Sequence, residues 1–222
     1  MTAAFTRSNL AGRIDHTLIQ PAASRLKVIQ LCTEAAQRKF RGVAVYSSSV
    51  PLAYAQLEET DIKIVCLVGF PFGSADTDVK RYETEVAVDH GANEIEVVIN
   101  IGRLKDGDRS FVLREMRDIA EAADERPVKL VLETALLKPE ERALACELAL
   151  DSGAHFVCTG TGLGTAPTAA DIKALRDLVG EKFGVKASAP FLNAEGARAL
   201  LEAGANQLGI LNGVALLDEL QT

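Results

Sequence analysis

The sequence predicts an α/β fold, a (β/α)8 TIM barrel formed as one compact domain over residues 1–222, and three observations lead there. Short β-branched runs alternate with stretches of helical spacing along the whole chain. The runs are nearly continuous in apolar residues, as strands are when helices cover both faces of a parallel sheet. Eight runs share the 222 residues, about 28 residues per strand–helix unit, near the lower end of the size range for such barrels. The competing open, doubly wound sheet needs a G-x-G-x-x-G turn after its first strand. None follows the first run here.

In chain order, a short helix over about 5–11 is expected to cap the bottom of the barrel, ahead of a weak first strand at 13–18. Ser24 is placed to N-cap the next helix, whose apolar stripe is Val28, Leu31, Cys32 and Ala35. GVAVY (42–46) and IKIVCLV (62–68) supply the second and third strands. EIEVVIN (94–100) is the fourth, and Val112, Met116 and Ile119 mark a helix after it. VKLVLE (128–133) is the fifth; Pro139, followed by Glu140 and Glu141, suits the first turn of the helix bearing Leu144 and Leu148. HFVCT (155–159) is the sixth, and Thr168 then caps the helix of Ile172, Leu175 and Val179. FGVKAS (183–188), a helix capped by Asn193, and QLGIL (207–211) complete the series. HGAN (90–93), SGAH (152–155) and AGAN (203–206) each close a helix and open a strand. Gly91, Gly153 and Gly204 are therefore expected in left-handed conformations.

Composition narrows the function without naming it. The 24 basic and 31 acidic residues leave a net charge of −7 with no basic stripe, which argues against nucleic acid. The N-terminus lacks the apolar core of a signal peptide, and the longest apolar run, 64–72, is too short to cross a bilayer. Cys32, Cys66, Cys146 and Cys158 form no C-x-x-C pair and read as buried thiols in a reducing cytoplasm. Three widely separated histidines do not make zinc-ligand spacing, and no cofactor or metal is expected. A monomer or homodimer is expected.

The working residues of such a barrel lie at the C-terminal ends of its strands. Those ends carry Asp15–His16–Thr17, Tyr46, Gly69–Phe70–Pro71, Glu96 with Asn100, Glu133, Cys158 with Thr161, and Lys186. Ionisable groups converging on one mouth make a candidate site. Glu133 is expected to pair with an inward basic group, and the GTGLGT run (160–165) to make a tight strand-to-helix turn.

IDHTL (14–18), VGFPFG (68–73), ANEIEVVINIG (92–102), KLVLET (129–134), GAHFVCTGTG (153–162) and GVKAS (184–188) together resemble the deoxyribose-phosphate aldolase family, over about 14–216. The resemblance implies a (β/α)8 barrel and class I aldol chemistry. In that family a lysine on strand six forms a Schiff base with acetaldehyde. A lysine on strand seven and an acid on strand four move protons, and loops after strands six, seven and eight hold the phosphate.

This chain departs from the family at those positions. Where the family reads KTSTG, it reads Cys158–Thr159–Gly160–Thr161–Gly162, and a thiol cannot form an imine. Where the family reads KASGGIRT, it reads KASAPFLN, so Ala189–Pro190 replaces a phosphate-binding glycine pair. The family's small hydroxyl residues after strand eight become Ile210–Leu211–Asn212, and the strand-four Asp becomes Glu96. Leu163, Ala189, Pro190, Phe191, Ile210 and Leu211 are expected to form an apolar wall where a phosphate would otherwise sit.

The expected activity is that of a divergent aldolase-type lyase on a non-phosphorylated and less polar carbonyl compound, with weak or no turnover of deoxyribose 5-phosphate. Lys186 acts as imine-forming amine or cationic hydrogen-bond donor, Glu96 as proton shuttle and Asp15 as its orienting partner, with Cys158 either chemical or space-filling. Thr17, Tyr46, Asn100, Thr161, Leu163, Phe191 and Leu211 are the expected substrate contacts. The alternatives are a general acid–base isomerase or cyclase in the same pocket, and a binding barrel without catalysis.

Overall fold

A computed structural model describes residues 5–220 of the chain. Eight parallel strands close into a barrel in sequence order. They are β1 (Ile14–Thr17), β2 (Gly42–Tyr46), β3 (Lys63–Val68), β4 (Glu94–Val98), β5 (Val128–Val131), β6 (Phe156–Cys158), β7 (Gly184–Ala189) and β8 (Gln207–Ile210). α1 (Arg7–Ala11) precedes β1, and its last carbonyl accepts from the Arg41 N–H just ahead of β2. The helical shell is α2 (Arg25–Arg38), α3 (Val50–Leu57), α4 (Thr77–Asp89), α5 (Ile101–Lys105), α6 (Arg109–Ala122), α7 (Pro139–Asp151), α8 (Ala169–Val179), α9 (Ala194–Glu202) and α10 (Gly213–Asp218). No helix among the described residues is long and apolar enough to cross a membrane.

Alternation along each strand divides the side chains between two environments. Val43, Val45, Ile64, Cys66, Ile95, Val97, Leu130, Val157, Val185 and Leu208 face outward and join Leu31, Met116, Ile172 and Leu175 of the helices in the main core. The other parity points into the barrel. It begins in small apolar groups, Ile19, Ala44, Val65 and Leu67 on one side and Val98, Val131 and Cys158 on the other. Between them lie ionisable side chains.

The helix starts follow their sequences. Thr168 and Asp171 form a reciprocal capping box on α8, and Asn193 caps α9 through Gly196 N–H. Ser24 occupies the N-cap of α2, but its side chain makes no capping bond. Gly91, Gly153 and Gly204 have φ of 96°, 86° and 114°, the positive values their helix-to-strand turns require. Strand four ends at Val98, short of the expected residue 100, because the Asn100 side chain turns back to accept from Arg103 N–H and starts α5. Strand five ends at Val131, because Glu133 takes φ 50° and bends the chain away.

One buried ion pair locks the shell to the mouth. Lys80 of α4 donates to the Val98 carbonyl (2.8 Å) and to Glu115 of α6 (3.0 Å), and Glu115 also accepts from Asn100 N–H. The stem of Lys80 runs beneath Gly69, so this pair supports both the β3 and β4 exits. Burial lowers the Lys80 amine below its ordinary value, against the opposing pull of Glu115.

Candidate active site

The barrel interior holds three cations and three carboxylates in one continuous network. Asp15 of β1 accepts from Arg41 through Oδ1 (2.7 Å), and from Lys129 (2.9 Å) and Lys186 (2.7 Å) through Oδ2. Glu94 pairs with Arg41 and with Lys129, which lies 2.7 Å away. Lys129 also donates to Gln207 of β8 (2.7 Å). At the upper end Lys186 Nζ donates to Glu96 Oε2 at 2.5 Å. Asp15, Lys129 and Lys186 are essentially inaccessible to solvent. Charges buried this deeply are tolerated only when each has a partner of opposite sign.

The network fixes protonation states. Burial pushes the Asp15 carboxyl up, but Lys129, Lys186 and Arg41 outweigh it and hold the group well below the usual carboxylate range. Burial pushes the Lys186 amine down, but Asp15 and Glu96 outweigh that and raise it above its ordinary value. Lys186 is therefore an ammonium ion with a fixed orientation. Gly209 of β8 makes room for it, since a Cβ there would lie 2.8 Å from Lys186 Cε.

Cys158 does not join this network. It lies one strand away from Lys186 in register, packed with Val98 and Val131 beneath Phe70 and Ile101. Burial, with Glu96 adding to it, raises the thiol well above its ordinary value. A neutral thiol sealed in an apolar pad is a poor nucleophile.

The structure thus brings together Lys186, Glu96 and Asp15, and gives most other expected site residues local tasks. Thr17 donates to the Asp15 carbonyl (2.9 Å), fixing the β1 exit beside the network. Tyr46 donates its hydroxyl to Ile19 O (3.2 Å) rather than standing free in the mouth. Asn100 is occupied as the N-cap of α5. Thr161 donates its backbone N–H to Glu133 at 2.5 Å, and its hydroxyl accepts from Leu163 N–H. Glu133 binds that loop backbone rather than an inward cation, because its left-handed conformation directs it over Gly160.

The expected apolar wall divides. Leu163 and Phe191 stand on the rim, 54 % and 61 % exposed, and Pro190 is exposed beside them. Leu211 reaches the mouth and packs with the Ile19 and Leu67 group. Ala189 and Ile210 instead face the helices as part of the main core, since their strand parity turns them outward. A clasp not expected from the sequence joins the last two loops. Asn212 accepts from Leu192 N–H (3.2 Å) and donates to Leu192 O (2.9 Å), so its side chain, just after β8, occupies the Leu192 backbone groups at the exit of β7.

Sequence reasoning missed Arg41, Glu94, Lys129 and Gln207. The signal for three of them was present: Glu94 shares strand parity with Glu96, and Lys129 and Gln207 occupy positions of their strands that alternate with outward apolar residues. Among the described residues no group of His, Cys, Asp and Glu side chains is arranged to hold a metal ion.

The sequence profile of DeoC/LacD family aldolases matches residues 10–217. A deoxyribose-phosphate aldolase from Thermoanaerobacter sp. (strain X514) is 41% identical over 215 residues, covering 95% of this chain and 96% of the relative. One from Exiguobacterium sibiricum is 44% identical over 211 residues, covering 94% and 96%. Among solved structures, a putative deoxyribose-phosphate aldolase from Coccidioides immitis superposes with a TM-score of 0.92 at 30% identity, covering 96% of this chain and 86% of that one. With its closed barrel and its match to the family over nearly its full length, the chain belongs to the DeoC/LacD family of aldolases.

Proposed function

We propose that this family member is an aldolase-type lyase acting on a small, non-phosphorylated and less polar carbonyl compound, with Lys186 as a cationic acid, Glu96 as proton shuttle and Asp15 as orienting partner. The observation that carries the reading is the Lys186 ammonium held between Asp15 and Glu96. In the cleavage direction Lys186 N–H bonds the carbonyl oxygen of a β-hydroxy carbonyl substrate. Glu96 takes the proton of the β-hydroxyl as that carbon becomes a carbonyl. The electron pair of the breaking carbon–carbon bond passes to the other fragment as an enolate, which the ammonium stabilises. Glu96 then returns the proton to the enolate carbon, leaving two carbonyl products and an ionised carboxylate.

Of the two roles open to Lys186, its carboxylate partners favour the cationic one over the free amine an imine needs. The exposed Leu163 and Phe191 rim and the Asn212 clasp favour a substrate without a phosphate. Turnover of deoxyribose 5-phosphate is expected to be weak or absent. Four buried free thiols fit a cytoplasmic protein, and a monomer or homodimer suffices for this chemistry.

The test is incubation with a panel of β-hydroxy aldehydes and ketones, borohydride reduction and mass spectrometry, alongside product analysis. Cleavage without an adduct on Lys186, abolished by Glu96→Gln, is expected. A reduced adduct on Lys186 would overturn the cationic role. The same sealed Cys158 and protonated Lys186 favour a second reading, isomerisation or cyclisation by general acid–base catalysis. It predicts a product of unchanged mass in place of two fragments.

A further inference from the structure

Beside the barrel mouth, between the β1–α2 connection and α2, lies a cavity of about 420 Å³. That size falls within the range of small-molecule sites. Two of its lining residues, Thr17 at the end of β1 and Leu211 just after β8, also stand at the mouth, so the cavity opens beside it on the β8–β1 side of the barrel. Its far wall is an ordered polar chain. His16 Nε2 (2.9 Å) and Gln30 Nε2 (2.7 Å) bond the two oxygens of Glu34, and Lys27 donates to Gln30 Oε1 (3.4 Å).

The chemistry of this wall is selective. Burial raises the Glu34 carboxyl, but the hydrogen bonds from His16 and Gln30 outweigh it and lower the group below its ordinary value. Lys27, the cation on the wall, is set against the Glu34 carboxylate, so the wall offers no uncompensated positive charge to a carboxylate or phosphate group. What remains for a ligand is the Gln20 amide, the acceptor side of the Thr17 hydroxyl, and the apolar surfaces of Leu18 and Leu31. Those groups suit an uncharged chain bearing hydroxyls or amides.

We propose that this cavity is a subsite for the neutral, hydroxyl- or amide-bearing tail of the substrate, which therefore extends from Lys186 toward α2 rather than toward the loops after β6 and β7. Calling that tail part of the substrate rests on the reading above. Its apolar portion then faces Leu163 and Phe191, giving the bound molecule one polar and one apolar side.

Nitrogen-15 NMR titration tests this with 2-deoxyribose and its 5-phosphate as probes. Saturable shifts at the amides of residues 17–23 and 27–31 are expected with the free sugar, bound about tenfold more tightly than the phosphate. Ala23→Trp, which fills the cavity, is expected to abolish those shifts. Ala22→Trp does the same from an exposed position that folding tolerates. Shifts confined to the loops after β6 and β7, equal affinity for both probes, or no saturable binding would each overturn the subsite. Repeating the titration in Glu96→Gln separates the two readings: binding there survives a failure of the proposed chemistry, and turnover without these shifts would overturn the subsite alone.

Discussion

Asp15 accepts from Arg41, Lys129 and Lys186 at once, so its removal leaves three cations competing for Glu94 and Glu96. Breaking a buried ion pair by removing one partner costs about 3–5 kcal/mol, and Asp15→Asn is expected to lie in that range by urea denaturation. The pH dependence has a definite sign. A carboxyl held below its unfolded value contributes stability that is complete above about pH 4 and fades as pH falls through the folded value. The wild-type protein should therefore lose stability steeply on acidification below about pH 4, and Asp15→Asn should show a shallower acid limb. Cys158 makes the opposite case. Its neutral thiol fills space among Val98, Val131 and Phe70, so Cys158→Ala should cost about 1–2 kcal/mol and change turnover less than about twofold. A loss of turnover much larger than that would assign the thiol a chemical role.

At the scale of elements, the two helix starts that look alike in sequence differ in bonding. Thr168 caps α8 reciprocally with Asp171, whereas Ser24 caps α2 in position only. Thr168→Ala should cost about 1 kcal/mol in thermal or urea denaturation, and Ser24→Ala only a small fraction of that. The difference shows what the sequence makes legible. Strand and helix identity are local properties, and the alternation from Gly42–Tyr46 to Gln207–Ile210 could be read from apolar spacing and turn glycines alone. Lys186, Glu96 and Asp15 were legible because strand ends of a barrel converge. Lys129 and Gln207 meet across 78 residues, and Lys80 and Glu115 across 35. Such pairs depend on register and on which helix covers which strand, and neither follows from local pattern. The Asn212 clasp and the turn of Glu133 onto Thr161 were hidden for the same reason, because loop conformation decides them.

At the scale of the whole molecule, the barrel separates a charged column from an apolar pad, and position 158 lies on the boundary. Cys158 pairs in register with Lys186 on one side and Val131 on the other. A lysine placed there would be desolvated by Val98 and Val131 and would face the Lys186 ammonium, two influences that both lower an amine's pKa. Glu96 acts on the same position in the opposite sense, but burial is the larger influence there and moves the new amine toward the neutral, nucleophilic form. Cys158→Lys should therefore yield a borohydride-trapped acetaldehyde adduct at position 158, located by peptide mass spectrometry. The substitution leaves the rim of Leu163 and Phe191 and the Asn212 clasp as they are. Retro-aldol turnover of 2-deoxyribose should then exceed that of its 5-phosphate in kcat/KM by about tenfold or more, because the phosphate gains no new donors at the β7 and β8 exits. A variant that folds, forms the adduct and prefers the phosphorylated sugar would show that those exits still bind a phosphate, and that divergence removed the nucleophile alone.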